Sequence, residues 1–338
     1  MHSHPHPAPR VGADVEDIDG RIEPTGSLSI LAPRRFGHTG LAALPAALRV
    51  TPAKTAPGGL ESLLNRFRGL GGTVFDTSDE TAADRAAQLR LGRWRVADDA
   101  IVTLRTGRNP GPGGLSPVAL RQAVEATLTR LRRERIDVLY LHGEDGMTPL
   151  AESLAAAERL IDSGKVGSLG AAQVSAARLI EARVLASTGL PKLLAVQCDY
   201  GILHRRHYET ELRIVCAGQE LSVSPTDPWP APPAGSAGRG WQARAFEVAG
   251  GVPGWAGLVA GHRARIASAL GHVADEQGVA PAVVALAWLL AQRGIQAPVV
   301  AATSLRHVDA MMAACAIRLS RTHLRELGTA SAWRGMAR

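Results

Sequence analysis

Short apolar runs alternate with longer amphipathic runs along most of this chain, and that alternation restricts the fold more than any other feature. The apolar runs are Thr73–Phe75, Ala100–Leu104, Ile136–Leu141, Val166–Ala171, Leu193–Gln197, Leu221–Val223 and Pro298–Ala301, with Ala43–Arg49 as a first strand. Runs this short and this apolar suit strands buried on both faces, as in a parallel sheet. Between them lie predicted helices with recognisable ends. Leu60–Leu70 stops at Gly71–Gly72, Ser116 and Pro117 form a cap and first turn for a helix reaching Arg133, and Pro149–Ser163 stops at Gly164. Arg205–Ala217 runs into Gly218, and Pro281–Arg293 into Gly294. Eight strand–helix units predict a closed (β/α)8 TIM barrel. A doubly wound open sheet would want a Gly-x-Gly-x-x-Gly turn after an early strand. The nearest candidate, Gly111-Pro112-Gly113-Gly114, is interrupted by proline and reads as a plain loop.

Composition narrows the partners. Aromatic residues are only 4% of the chain, so a core must be built from Ala, Leu and Val. The formal charge of +7 comes from 38 basic against 31 acidic residues, mostly interspersed. The densest run, Arg130–Arg135, closes a predicted helix and reads as a solvated face, so no nucleic-acid partner is expected. No apolar run reaches the ~18 residues a membrane span needs. Cys198, Cys216 and Cys315 are few, odd in number and far apart, which suits a reduced cytoplasmic protein without a disulfide framework. His2, His4 and His6 alternate with Ser and Pro in what reads as a disordered tail over residues 1–26, and no metal site is expected. Residues 27–338 are expected to form a single barrel domain, with a long Pro/Gly/Trp-rich loop at about 225–254 on the catalytic face. In that loop Gly235–Gly240 either cradles a phosphate or is a linker, and Trp229, Trp241 and Trp255 either line a substrate pocket or pack the loop down. Trp229 is the candidate placed towards substrate. Oligomeric state is not legible.

Several segments in the right order resemble the aldo-keto reductase family. Arg34-Arg-Phe-Gly-His-Thr-Gly-Leu41 resembles its opening hairpin, Gly72-Thr-Val-Phe-Asp-Thr77 the strand ending in the catalytic Asp, and Ile136-Asp-Val-Leu-Tyr-Leu-His142 the strand ending in the catalytic His. Gly164-Lys-Val-Gly-Ser-Leu-Gly170, Gln197-Cys-Asp-Tyr200, Ala285-Leu-Ala-Trp-Leu-Leu290 and Ala301-Ala-Thr-Ser304 resemble the segments around its cofactor. The resemblance implies a barrel with an Asp–Tyr–Lys–His tetrad and NADPH. In that tetrad a Tyr protonates the carbonyl oxygen, a Lys lowers the pKa of that Tyr, and an Asp holds the Lys. By position Asp76 and His142 are kept, but the Tyr position holds Thr81 and the Lys position Arg105. A Thr hydroxyl is far too weak an acid to replace a phenol, and a guanidinium is not a tunable ammonium. No tyrosine lies between Asp76 and Tyr140; Tyr200 and Tyr208 can serve only from another strand.

The cofactor positions depart from the family as well. Its Ser-Asn pair corresponds to Ala172 and Gln173, its Gly-x-Gly-Thr to Ala47-Leu-Arg49-Val50, its adenine-binding Asn to Met311 and a loop Gly to Ala301. Gln197 is kept, and Thr303 and Ser304 stand in the cofactor loop. Each lost hydrogen bond is worth on the order of 1 kcal/mol. No cofactor, or weakly bound NADP, is therefore expected.

Asp76, Arg105 and His142 should converge at the C-terminal mouth of the barrel, joined by Arg49 from the first strand and Thr81 beside the substrate. Two guanidinium groups favour a carboxylate, phosphate or enolate. His142 suits proton transfer near neutrality, and Asp76 either holds Arg105 or acts as a base. The leading expectation is acid–base chemistry without hydride transfer on a small oxygenated metabolite: elimination, dehydration, isomerisation or ring closure, in specialised metabolism. A divergent NADPH-dependent carbonyl reductase and a non-catalytic barrel that binds a ligand or partner are the alternatives.

Overall fold

The computed structural model describes residues 33–51, 59–108, 114–144, 146–226, 228 and 255–332, without the side chains of 255–260. A two-stranded antiparallel hairpin, β1 (Arg34–Arg35) and β2 (Ala42–Ala43), precedes the barrel. The barrel strands are β3 (Ala47–Arg49), β4 (Val74–Ser78), β5 (Ile101–Thr106), β6 (Ile136–His142), β7 (Val166–Ala172), β8 (Leu193–Asp199), β9 (Ser222–Thr226) and β10 (Val299–Val300). They pair in parallel in that order, and β10 returns to β3 to close the ring. The eightfold alternation thus becomes a (β/α)8 barrel. The expected first strand, Ala43–Arg49, is divided: Ala46 N–H bonds the Leu44 carbonyl, and that turn around Pro45 separates the hairpin from β3.

The outer layer is α1 (Gly59–Gly69), α2 (Ala82–Trp94), α3 (Pro117–Leu131), α4 (Leu150–Asp162), α5 (Ala176–Ser187), α6 (Arg213–Gly218), α7 (Trp255–Gln277), α8 (Pro281–Leu290), α9 (Leu305–Ala314) and α10 (Arg321–Ser331). Ser116 caps α3 through Ala119 N–H, with Pro117 in the first turn as its sequence predicts. The helix expected from Arg205 instead opens with a π-turn over Tyr208–Leu212 before α6. Gly72 ends the turn after α1 because the Phe67 ring occupies the space of a side chain; a Cβ there would stand 2.3 Å from it. The few aromatics are concentrated. Phe75 meets Phe67 edge-on at 5.5 Å and Trp94 at 5.6 Å, between barrel and helices.

Strand periodicity builds the lumen. Phe36, Ala43, Ala47, Val74, Ile101, Ala297 and Val299 form one buried cluster, so the hairpin plugs the barrel floor. Val138, Tyr140, Ala172 and Ala195 form a second. Successive inward residues lie two apart, so each strand climbs from apolar to polar: Val74, Asp76, Ser78 on β4; Ile101, Thr103, Arg105 on β5; Val138, Tyr140, His142 on β6. The floor excludes water and the mouth collects charge. Among the described residues no single helix is long and apolar enough to cross a membrane. The three cysteines are free and buried.

Candidate active site

Asp76 is the hub of the lumen. It is 1% exposed and accepts three hydrogen bonds: Thr103 Oγ1 at 2.7 Å and Gln197 Nε2 at 2.6 Å on Oδ1, and Arg49 Nε at 3.1 Å on Oδ2. The donors come from β5, β8 and β3, so one carboxylate ties three other strands to β4. Such a pair holds because its Coulomb energy and hydrogen bonds offset the desolvation of both charges. Asp76 therefore pairs with Arg49 rather than with Arg105.

Arg105 faces a carboxylate that sequence reasoning missed, Glu80. Its Nε lies 3.8 Å from Glu80 Oε1, and His142 donates Nδ1–H to the same oxygen. The loop after β4 explains the placement. Ser78 Oγ accepts Glu80 N–H at 3.2 Å, Arg85 clamps the Asp79 carbonyl at 2.7 Å, and Thr81 starts α2. Thr81 is an exposed N-cap in a capping box: its hydroxyl accepts Asp84 N–H at 3.0 Å and donates to the Asp84 carboxylate at 2.7 Å. It serves the helix rather than a ligand. The capping signature Thr81-x-x-Asp84 is legible in the sequence, and it would have marked Glu80 as the last loop residue over the mouth.

Burial alone would raise the pKa of Glu80. The hydrogen bond from His142 and the charges of His142, Arg105 and Arg108 outweigh it and hold the carboxyl below the usual glutamate value. An ionised Glu80 can only accept, so it fixes the proton of His142 on Nδ1 and leaves Nε2 as the basic nitrogen. Nε2 is buried without a hydrogen-bond partner among the described residues, as are Arg105 Nε and Gln197 Oε1.

A tyrosine does enter the lumen, but not from the loop after Asp76. Tyr140, two residues before His142, is fully buried, and Gly170 makes room for it: a Cβ at Gly170 would stand 2.6 Å from the ring. Burial first and the Asp76 charge second push its phenol well above the ordinary value. Ser224 and Gln197 lie against the hydroxyl and act the other way, although neither makes a well-formed hydrogen bond to it. Tyr200 and Tyr208 stack on each other at 4.4 Å, outside the lumen; Tyr200 donates to Glu209 at 2.9 Å, and burial raises both phenols. Among the described residues no cation acts on the Tyr140 hydroxyl to loosen its proton, so it is a poor acid.

The sequence-expected cofactor residues lie at the far rim. Gln173 at the end of β7 has a left-handed φ of 52°. Its amide donates to Asp199 Oδ1 at 2.7 Å and Thr226 Oγ1 at 3.2 Å, while Thr226 donates to the same Asp199 oxygen at 2.7 Å. Ser304 caps α9 by accepting His307 N–H at 3.3 Å, and Thr303 N–H donates to His307 Nδ1 at 3.2 Å. Met311 is 2% exposed, inside the core. Of these expected cofactor residues, only Gln197 has a buried polar atom, Oε1, without a hydrogen-bond partner among the described residues. Trp229, Trp241, Gly235–Gly240 and the tail histidines lie outside the described residues, and the side chain of Trp255 is not described.

The aldo/keto reductase family model matches residues 53–331. Norsolorinic acid reductase stcV of Emericella nidulans is 27% identical over 286 residues, 79% of this chain and 70% of that protein. A probable aldo-keto reductase 1 of Glycine max is 27% identical, covering 76% and 75%. A probable voltage-gated potassium channel subunit beta of Arabidopsis thaliana is 32% identical over 160 residues, 45% of this chain and 48% of that protein. With the barrel closed, Asp76 and His142 at its mouth and the family model spanning most of its length, this chain belongs to the aldo-keto reductase family.

Proposed function

We propose that this barrel is an acid–base enzyme in which His142, oriented by Glu80, moves a proton on a small oxygenated metabolite without hydride transfer. The observation that carries the reading is the contact of His142 Nδ1 with Glu80, which leaves a buried, unpartnered Nε2 at the mouth of the lumen. A carboxylate–imidazole pair of this kind contributes roughly 10²–10⁴ in rate as a general base. Arg105 beside the same carboxylate supplies a donor for developing negative charge. Each guanidinium already faces a carboxylate, Arg49 with Asp76 and Arg105 with Glu80, so the mouth favours a neutral substrate that becomes anionic during reaction over one that arrives charged.

The aldo-keto reductase family usually binds NADP(H). Here the residues at the corresponding positions do not fit that role. The Gln173 amide is taken by Asp199 and Thr226, Thr303 and Ser304 are folded into the first turn of α9, and Met311 is core. We derive no step through the cofactor. The similarity to norsolorinic acid reductase stcV favours a second reading, an NADPH-dependent carbonyl reductase in which protonated His142 replaces the phenol. The channel subunit among the relatives favours a third, a barrel that binds a partner. Assignment to specialised metabolism and to the cytoplasm remains part of the proposal.

Two assays separate the readings. Deuterium wash-in from D2O into an enolisable ketone such as 1-indanone should proceed above the buffer rate and vanish in His142→Asn. NADPH fluorescence should stay unquenched at millimolar cofactor. Absence of wash-in, or exchange that survives His142→Asn, overturns proton transfer at His142; tight NADPH binding with ketone reduction establishes the reductase.

A further inference from the structure

Among the described residues three buried polar atoms of the mouth lack a hydrogen-bond partner, Arg105 Nε, His142 Nε2 and Gln197 Oε1, and so does the Tyr140 hydroxyl that lies against Gln197 deeper in the lumen. The strand register relates His142 and Gln197. His142 pairs level with Ala172, and Ala172 with Gln197. Gln197 points into the lumen, because its amide crosses to Asp76 on β4. Ala172 therefore stands between an imidazole and an amide with only a methyl group, packed over Tyr140 and Ala195. Arg105 Nε and His142 Nδ1 meet on the same oxygen of Glu80, which brings Arg105 to the same place. Buried polar groups are normally paired, so three open ones around one small side chain describe the shape of a missing partner.

Their chemistry is complementary. Arg105 Nε offers an N–H, Gln197 Oε1 accepts one, and His142 Nε2 is a base. The geometry points to a site for a neutral α-hydroxy ketone or α-hydroxy aldehyde, its carbonyl oxygen on Arg105, its hydroxyl on Gln197 and its carbinol C–H under His142. This rests on the proton-transfer reading and names its substrate class. His142 Nε2 takes the proton from the carbon bearing the hydroxyl. The C–H electron pair becomes the C=C bond, and the carbonyl π pair moves onto the oxygen held by Arg105. The hydroxyl proton passes to that neighbouring oxygen within the planar cis-enediol, and His142 returns its proton to the former carbonyl carbon. Carbonyl and carbinol exchange places, and no oxidant, reductant or second substrate is consumed.

A planar mimic of the cis-enediolate tests the site directly. 4-Nitrocatechol changes colour when its first hydroxyl ionises. The wild-type protein should bind it as the monoanion at a pH where the free probe is mainly protonated, since charge-assisted hydrogen bonds favour the ionised form. Arg105→Gln should weaken binding at least about 10-fold, the equivalent of one such hydrogen bond. Ala172→Val keeps every polar group and enlarges the one side chain between His142 and Gln197, so it should weaken binding as much while far-ultraviolet circular dichroism stays native. No ionisation shift in the wild type, or equal affinity in both variants, overturns the site. Wash-in into 1-indanone, which has no hydroxyl for Gln197, reads His142 alone. If that exchange persists while nitrocatechol fails to bind, the hydroxycarbonyl site is wrong and the proton-transfer reading stands. If nitrocatechol binds as expected while exchange is absent, the base assignment is wrong.

Discussion

The two sides of the barrel mouth are built from similar residue types and end in opposite conditions. On the β4–β6 side, Glu80, Arg105 and His142 converge and leave Arg105 Nε and His142 Nε2 open. On the β7–β9 side, Gln173, Asp199 and Thr226 bond to one another, and beyond them Thr303 and Ser304 bond into α9. Polar residues at a rim are thus no guide to binding by themselves. What matters is whether the fold satisfies them internally. The first side keeps hydrogen-bonding capacity for a ligand, and the second, apart from Gln197 Oε1 deeper in the lumen, uses it to hold the strand ends together.

The contrast can be broken most severely at Asp76. Asp76→Ala removes the buried carboxylate on which Arg49, Thr103 and Gln197 converge, and loss of one partner of such a pair costs about 3–5 kcal/mol. Urea denaturation should show that loss, and a midpoint within error of the wild type would remove Asp76 as the hub. Glu80→Gln comes next. It should lower turnover on any true substrate by on the order of 10²-fold, because an uncharged amide, which can donate as well as accept, no longer fixes the tautomer of the imidazole or stabilises its charge. Its pH dependence sharpens the point. The folded-state pKa of Glu80 lies below the ordinary value of 4.5, so its contribution to stability is present above that value and is lost as pH falls through the lowered one. Wild type and Glu80→Gln should therefore differ in melting temperature at pH 7 and converge in acid; a constant difference across that range would show that the carboxylate is not tied to His142.

Smaller effects test the packing beneath the mouth and the silent rim. Gly170→Ala forces a methyl group against the Tyr140 ring and the Ala195 carbonyl and should cost about 1–3 kcal/mol, relieved in part when Tyr140→Val is added. Failure of the second change to rescue the first would mean that the ring does not set the floor. Thr81→Ala removes a helix cap and should cost about 1 kcal/mol with turnover unchanged. A large fall in turnover with unchanged stability would return Thr81 to the substrate.

Some of the site was legible before the fold was. Asp76 in β4 and His142 at the end of β6 stand in motifs whose period of two puts them inside, and Arg105 follows from the same count on β5. Glu80 was hidden because it belongs to no strand, and only the cap at Thr81 and the clamp of Arg85 aim it inward. Tyr140 read as part of an apolar run, and its polar end became visible only with Asp76 and Gln197 beneath the mouth. The pairing of Arg49 with Asp76 depended on β3 and β4 lying level at Arg49 and Asp76.

The sequence alone determined the barrel, because apolar runs of strand length separated by capped amphipathic helices satisfy their backbones in few other ways. It also determined which residue types stand at the strand ends. Tertiary structure decided which of those groups bond to each other and which stay open, because hydrogen bonds and ion pairs depend on separations of a few ångströms between residues far apart in the chain. That decision turned Gln173 into a strut and left His142 Nε2 without a partner.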